Sequence, residues 1–293
     1  MHGAGNDFVI VECRSEDPRL TSFDIKEICD RHKGIGCDQL VLLKASKLAN
    51  VRVEFYNGDG SESGACGNAT RCVASLIMMQ NEVDTATIET KNGRILECYN
   101  TGEVLDSGEE LYTVNMGTAK YDWQDIPLEK EMDTLLLPLP LPDGLGGNSL
   151  KDSDAVPIIL AQRQGEYSLP SAVNIGNPHC VYFVDNVGTA AVHEHGFYIE
   201  NHPLFPQRTN VEFVQVISRG EIKLRVWERG SGETLACGSG ACAAVAAGVR
   251  RQLLSNKVKV HLPGGDLHIE IIENGDIMMT GPVMIVFTGV IEL

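Results

Sequence analysis

The stretches "ESGACGNATRC" (Glu62–Cys72) and "ETLACGSGAC" (Glu233–Cys242) share one frame. Each opens on a Glu, reaches Ala-Cys-Gly with its Cys four residues later, and runs through small residues to a second Cys. Cys66 and Cys237 are 171 residues apart. If the chain is duplicated, other pairs must recur near that offset, and they do. "GNDFVIV" from Gly5 parallels "GNPHCVYFV" from Gly176, with Asn6 and Asn177 again 171 apart. "CDQLVLL" meets "TNVEFVQV" at 172 through Asp38 and Asn210, and "IETKNGRILE" meets "VHLPGGDLHIE" at 172 through Gly93 and Gly265. The order is collinear. A period this long predicts two like domains and differs from a solenoid, whose repeats are far shorter.

Each half carries short β-branched runs bounded by turn residues. "FVIVEC", "VRVEFYN", "TATIET", "RILECY" and "LYTVNM" lie in the first, "VYFVD", "VEFVQVI", "IKLRVWE", "VKVHL" and "LHIEIIE" in the second. Strict alternation in "IKLRVWE" and "LHIEI" predicts strands with one buried face. The apolar segments after the two Cys motifs, "CVASLIMMQ" and "CAAVAAGVRRQLL", predict helices, and the Ala/Val/Gly content of the second predicts close packing on every side inside a curled sheet. "FDIKEICDRH" predicts a further helix, with Ser22 or Asp24 as N-cap. "LLLPLPLP" (135–142), broken by prolines, reads as a loop or edge. The expected fold class is α+β: two pseudo-symmetric domains, each a curled, mostly antiparallel sheet around a central helix. The expected halves are 1–118 and 119–280, with 281–293 returning to the first.

Bulk composition narrows the function. The 293 residues are 43% hydrophobic, enough for a sizeable core. A net charge of −16 without a basic cluster argues against nucleic-acid and anionic-membrane partners and fits an enzyme of small molecules. Neither a secretion signal nor a membrane-length apolar run is visible, so a cytoplasmic location is expected. Of the nine cysteines, Cys13, Cys29, Cys98 and Cys180 sit among apolar neighbours and read as buried small hydrophobes, as do Cys72 and Cys242 within their helices.

Cys66 and Cys237 are placed differently, where a loop turns into a helix. Such a thiol feels the positive end of the helix dipole and accepts free N–H groups, which is expected to lower its pKa from about 8.5 towards neutral. A thiol near neutral pKa can give and take protons. The open backbone N–H groups around Gly67 and Gly238 suit a carboxylate. Two such thiols on opposite sides of a ligand could remove a proton from one face of a carbon and return one to the other. No Walker A or complete dinucleotide fingerprint competes, so no cofactor is expected. The Cys spacings of six and five, with no local His, do not make a metal site. A C-x-x-C redox pair is absent. A single-Cys hydrolase with His179 as base would leave the second motif without a task.

Together "MHGAGNDF", "GIGCDQL", "YNGDGSE", "ACGNATRC", "GNPHC", "ERGSGETLACGSGACA" and "LPGG" closely resemble the diaminopimelate epimerase family, in its order and across almost the whole chain. The resemblance implies a pyridoxal-phosphate-independent two-base isomerase. Such an enzyme interconverts LL- and meso-diaminopimelate for lysine and peptidoglycan synthesis, with its site in a cleft that closes between two domains. It implies Cys66 and Cys237 as the catalytic thiols, with His179 and Glu228 assisting. It implies Asn6, Gln39, Asn57, Gly67, Asn68, Asn177, Asn210, Glu228, Arg229, Gly238 and Ser239 as substrate-binding positions. A planar Arg fork suits the distal carboxylate of such a substrate. A homodimer is expected for small two-domain enzymes of this kind. Glu62 and Glu233 are expected to be structural. The sequence departs from the family at Ala69-Thr70, where Gly is common, and Ala is the better helix former. Cys37 carries no expected role. The alternatives are a proline or hydroxyproline racemase of the same fold, which has no second amino-acid end to bind, and a non-enzymatic thiol redox or metal protein.

Overall fold

The computed structural model describes residues 1–16, 18–64, 66–139, 141 and 169–291. The chain divides into two compact units, Met1–Asn115 with Thr280–Leu293, and Met116–Met279.

In the first unit the order is β1 (His2–Gly3), β2 (Asn6–Glu12), α1 (Ser22–Cys29), β3 (Gln39–Lys44), β4 (Val51–Asn57), β5 (Glu62–Ser63), α2 (Gly67–Asn81), β6 (Thr85–Thr90), β7 (Ile95–Val104) and β8 (Glu110–Thr118). Strands β2 and β3 pair in parallel, as do β4 and β6, while β1–β2, β3–β4, β4–β5, β6–β7 and β7–β8 are antiparallel. Each parallel pair is joined by a crossover that contains a helix, because two parallel strands cannot be linked by a tight turn. Thr113 and Thr280 share a hydroxyl–hydroxyl hydrogen bond of 2.7 Å within this unit.

The second unit repeats the plan. Its elements are β9 (Ser171–Asn174), β10 (Pro178–Phe183), α3 (Val192–Glu200), β11 (Asn210–Ser218), β12 (Glu221–Glu228), β13 (Gly232–Thr234), α4 (Gly238–Arg250), β14 (Lys257–Leu262), β15 (Gly265–Ile271) and β16 (Asp276–Val283). Strands β10 and β11 are parallel, as are β12 and β14, and β9–β10, β11–β12, β12–β13 and β14–β15 are antiparallel. The duplication expected from the Cys motifs is therefore present in the pairing itself. Its offset is sharper than the sequence suggested. Phe8 pairs with Gln39 and His179 pairs with Asn210, so the counterpart of Asn210 is Gln39 at 171, not Asp38 at 172.

The alternating strands fall as expected: in β12, Ile222, Leu224 and Val226 are buried while Lys223 is exposed. The two helices after the Cys motifs are each the centre of a curled sheet. Helix α2 packs on β1, β2, β6 and β7, and α4 on β9, β10, β11, β12 and β15. Small residues make the second arrangement possible. A Cβ on Gly248 would lie 2.4 Å from Leu254 Cδ1, too close for any side chain. Around the outer face, Phe205, Phe213, Ile199 and Trp227 join one buried cluster in which each large side chain contributes about 1.5–3 kcal/mol by leaving water.

Two expectations change. The N-cap of α1 is Thr21, not Ser22 or Asp24. The Thr21 hydroxyl accepts the Asp24 N–H at 3.3 Å and the Asp24 carboxylate accepts the Thr21 N–H at 2.8 Å, a reciprocal box that places Asp24 inside the helix. The same helix stops at Cys29, because Asp30 is extended and its carboxylate takes the N–H groups of His32 and Lys33. Within 135–142 the described residues form the expected loop, in which Leu137 and Leu139 are buried and the Leu137 N–H reaches the Pro170 carbonyl at 2.9 Å. The rest of that stretch lies partly outside the described residues.

Candidate active site

Both motif cysteines are N-caps. Cys66 is extended at φ −141° and ψ 109°, and its Sγ accepts the Ala69 N–H at 3.4 Å. Cys237 has φ −128° and ψ 109°, and its Sγ accepts the Gly240 N–H at 3.4 Å. Sulfur thus takes the place that a Ser or Asp oxygen fills in an ordinary cap. The first-turn N–H groups of α2 and α4 remain directed at the thiol end of each helix.

In the first unit, Cys66 is half-exposed and its Sγ lies 3.8 Å from Asn6 Oδ1. Asn68 Nδ2 donates to the same oxygen at 3.4 Å, and Asn6 Nδ2 donates to Asp38 Oδ2 at 2.8 Å. Asp38 therefore turns the Asn6 amide so that its oxygen faces the thiol. Arg71, fully buried, donates to Asn68 Oδ1 at 3.0 Å. Gln39 and Asn57 are paired across β3 and β4, with Gln39 Nε2 donating to Asn57 Oδ1 at 2.9 Å, and Asn57 Nδ2 donating to Ser61 at 3.1 Å. The departure at Ala69-Thr70 has a local rationale. Ala69 supplies the N–H to Cys66, and the Thr70 hydroxyl donates to the Cys66 carbonyl at 2.8 Å.

In the second unit, Cys237 is buried, with Ser239 Oγ 3.6 Å from its sulfur. Glu228 ends β12, and its Oε1 accepts the Thr234 hydroxyl at 2.5 Å. His179 is fully buried, with Nδ1 2.7 Å from Glu212 Oε1 and Nε2 2.8 Å from Asn177 Oδ1. Asn210 spends both ends of its amide on backbone: Nδ2 donates to the Pro178 carbonyl at 2.9 Å and Oδ1 accepts the Arg229 N–H at 2.9 Å. It ties β10 to the turn that carries Glu228 and Arg229. Gly67 and Gly238 are the first residues of α2 and α4. In the first unit Asn6 and Asn68 meet at Cys66 while Gln39 and Asn57 form a separate pair, and in the second Asn177 meets His179 while the Arg229 guanidinium turns to the Gln207 carbonyl.

Two residues outside the sequence expectation join these clusters, Asp38 and Glu212. Asp38 sits in the quoted "GCDQL" with no role attached. Glu212 is a fully buried carboxylate inside the apolar run "VEFVQV". Its signal was available: an acidic residue in a strand whose neighbours are buried on both faces needs a partner. The two motif glutamates lie apart from the thiols in exposed ion pairs, Glu62 with Lys91 at 2.5 Å and Glu233 with Arg225 at 2.7 Å.

The lowered thiol pKa expected from the helix dipole is not found at Cys237. Burial pushes this thiol well above its ordinary value, Glu228 and Glu212 push it further, and the bonds from Ser239 and Gly240 N–H only partly offset them. Burial also raises Glu228, although Thr234, Cys237 and His179 draw it back. Cys237 is therefore a thiol at neutral pH. Its thiolate fraction, and with it alkylation by iodoacetamide, should rise about tenfold per pH unit from pH 7 through 9. Peptide mapping of the alkylated protein reads this directly; a plateau already reached by pH 8 would show that the helix terminus dominates. The core thiols behave as buried ones: Cys72 and Cys98 are both pushed up to about 12 by burial. Among the described residues, no three His, Cys, Asp or Glu side chains are placed to hold a metal ion, and no helix is long and apolar enough to cross a membrane.

The architecture is shared with solved structures of other proteins. A probable proline racemase from Agrobacterium radiobacter, solved with bound carbonate, superposes with a TM-score of 0.61, covering 96% of this chain and 88% of its own at 14% identity, which establishes a shared fold. The finer relationship comes from sequence. The pattern of the diaminopimelate epimerase family matches residues 1–121 and 171–286. The diaminopimelate epimerase of Gluconobacter oxydans is 44% identical over 291 residues, 99% of this chain and 96% of the relative, and that of Phenylobacterium zucineum is 41% identical over 289 residues, 99% and 95%. This chain belongs to the diaminopimelate epimerase family.

Proposed function

We propose that this chain interconverts LL- and meso-diaminopimelate by a two-base reaction with one thiol from each unit, Cys66 and Cys237. The observation that carries the reading is the matched pair of N-capping cysteines, which differ by little more than 10° in φ and share the same N–H···S bond. One sulfur, as thiolate, takes the α-proton, and the C–H electron pair stays on the α-carbon. The other sulfur delivers its S–H proton to the opposite face of that carbon. The first thiol is now protonated and the second ionised, so the enzyme is set for the reverse reaction. The weakly acidic α-proton needs its developing charge met by aimed donors. The first-turn N–H groups at the starts of α2 and α4, at Gly67, Asn68, Gly238 and Ser239, are suited to the α-carboxylate and to that charge. The side chains named here supply the proposed chemistry without a cofactor. His179 and Glu228 act as auxiliary acid–base groups. Asn6, Gln39, Asn57, Asn177, Asn210 and Arg229 recognise or support the substrate. The acidic chain fits a cytoplasmic enzyme of small molecules.

Proton NMR of the enzyme in D2O with LL-diaminopimelate, run beside L-proline, tests this. Loss of the α-proton signal with appearance of the meso isomer is the expected result. Exchange of proline alone would replace the substrate, and exchange of neither under reducing conditions would remove the enzyme assignment.

A further inference from the structure

The two units provide an internal comparison at one position of the sheet. In the first, Phe8 on β2 lies opposite Gln39, and Val41 follows two residues along β3 on the same face. Phe8 and Val41 are both buried and apolar. At the same places in the second unit, His179 lies opposite Asn210, and Glu212 follows on β11. His179 and Glu212 are fully buried and joined at 2.7 Å. The same sheet is thus built once with an apolar pair and once with an ionisable one. A buried ionisable pair confers no stability that packed apolar residues would not match. The fold does not require His179 and Glu212.

The surroundings are shaped around the carboxylate. A Cβ on Gly240 would lie 3.0 Å from Glu212 Oε1 and 3.3 Å from Cys237 Sγ, so glycine is what lets both groups reach the first turn of α4. Its counterpart in the first unit is Ala69, where no carboxylate intrudes. The positive end of α4 favours a negative charge there. Among the described residues Glu212 Oε2 is buried without a hydrogen-bond partner, so there the carboxylate makes its one bond to His179.

We propose that Glu212 is a positioning residue whose Oε1 holds the Nδ1–H of His179. Nε2, turned to the Asn177 amide, is thereby the nitrogen at which this histidine gains and loses a proton. The inference rests on the reading of His179 as an auxiliary acid–base group. Nδ1 keeps its proton, donated to Oε1, in both the imidazolium–carboxylate and the imidazole–carboxylate pair, so only Nε2 is left to exchange. The Asn177 amide can serve both states, its oxygen accepting from Nε2–H and its nitrogen donating to bare Nε2. The ionisable groups around His179 are Glu212 from β11, Glu228 from β12 and Cys237 at the start of α4, which faces the same two carboxylates. From β9 the residue opposite is Val173.

The test is 15N NMR of the full chain labelled at histidine, with the His179 signals identified by their loss in His179→Gln. Between pH 5 and 9 the expected result is a protonated Nδ1 throughout and titration at Nε2. Neutral His179 protonated at Nε2 in the wild-type chain would overturn the proposal outright, without any variant. In Glu212→Gln the carboxylate charge that favours imidazolium is gone, so the midpoint should fall by about one pH unit or more. The matching limb of the kcat/KM profile for diaminopimelate should move down with it, with kcat lowered and KM held. Glu212→Asp should recover part of both shifts. An unmoved midpoint and profile in a folded Glu212→Gln protein would leave Glu212 a packing residue. If the wild-type chain fails to exchange diaminopimelate yet shows the expected His179 titration, the functional reading fails and the positioning role stands.

Discussion

Cys66→Ala should lower epimerisation by about 10²–10⁴-fold, the contribution of a positioned acid–base group. The substitution also removes the cap on Ala69 N–H. That loss costs about 1 kcal/mol, too little to unfold a domain of this size. Cys66→Ser separates the two effects. Its oxygen can cap α2, so the protein should melt near the wild-type temperature, but a hydroxyl does not ionise in the accessible pH range and activity should remain lost. The two-base scheme makes a sharper demand. With Cys237 intact, either variant should still wash solvent deuterium into the α-position of one stereoisomer only, without inverting it. The measurement is paired NMR of LL- and meso-diaminopimelate in D2O. Epimerisation at wild-type rate would sink the two-thiol scheme, and exchange of both isomers would show a second base on the Cys66 face.

Much of this arrangement is legible in the sequence. The Cys motifs were recognisable because an N-cap followed by small residues has few solutions, and their duplication implied the repeated strand order. Strands such as Glu221–Glu228 were legible because one face is wet and the other dry. Other features are tertiary. The segment Val192–Glu200 forms α3 despite Gly196 in its interior, because that glycine packs where a Cβ would lie 2.4 Å from Trp227 Cγ. Packing, not propensity, wrote that sequence, and the sequence showed no helical stripe to find. The sequence marks Glu212 as a buried acid in need of a partner, but not the direction in which it points. Strand β11 is buried on both faces over Asn210–Val214, so no alternation marked which side chain faced the thiol. The direction of the Cys237 shift was also out of reach. A helix terminus is visible in sequence, but the burial and the two carboxyls that outweigh it come from β11 and β12.

The second large effect concerns the far end of the substrate, where the family reading separates from a proline racemase. Arg229 follows Glu228 on the turn held by Asn210. Its guanidinium donates to the Gln207 carbonyl at 2.9 Å through Nη1, and among the described residues the remainder of the fork has no other hydrogen bond. Burial and the nearby Arg208 both work against this cation, lowering its pKa from the ordinary value. Glu200 offsets part of this, but its carboxylate is paired with Arg208 at 3.0 Å, and among the described residues no carboxylate is in ion-pair contact with Arg229. A carboxylate is the group that would satisfy it, with two parallel N–H···O bonds. Arg229→Met, which keeps the apolar stem and removes the fork, should cost about 2–5 kcal/mol of substrate binding, or roughly thirty- to several-thousandfold in kcat/KM for diaminopimelate. Arg229→Lys keeps the charge without the bidentate geometry and should fall between the two. The loss should appear in KM and kcat together, because binding at a remote end also orients the reacting carbon. The discriminating control is a racemisable amino acid with no second carboxylate. Any slow α-proton exchange it shows with the wild-type enzyme should be unchanged in Arg229→Met. Equal losses for both substrates would place Arg229 at the α-carboxylate or in the scaffold of the turn, and the distal specificity would have to lie elsewhere.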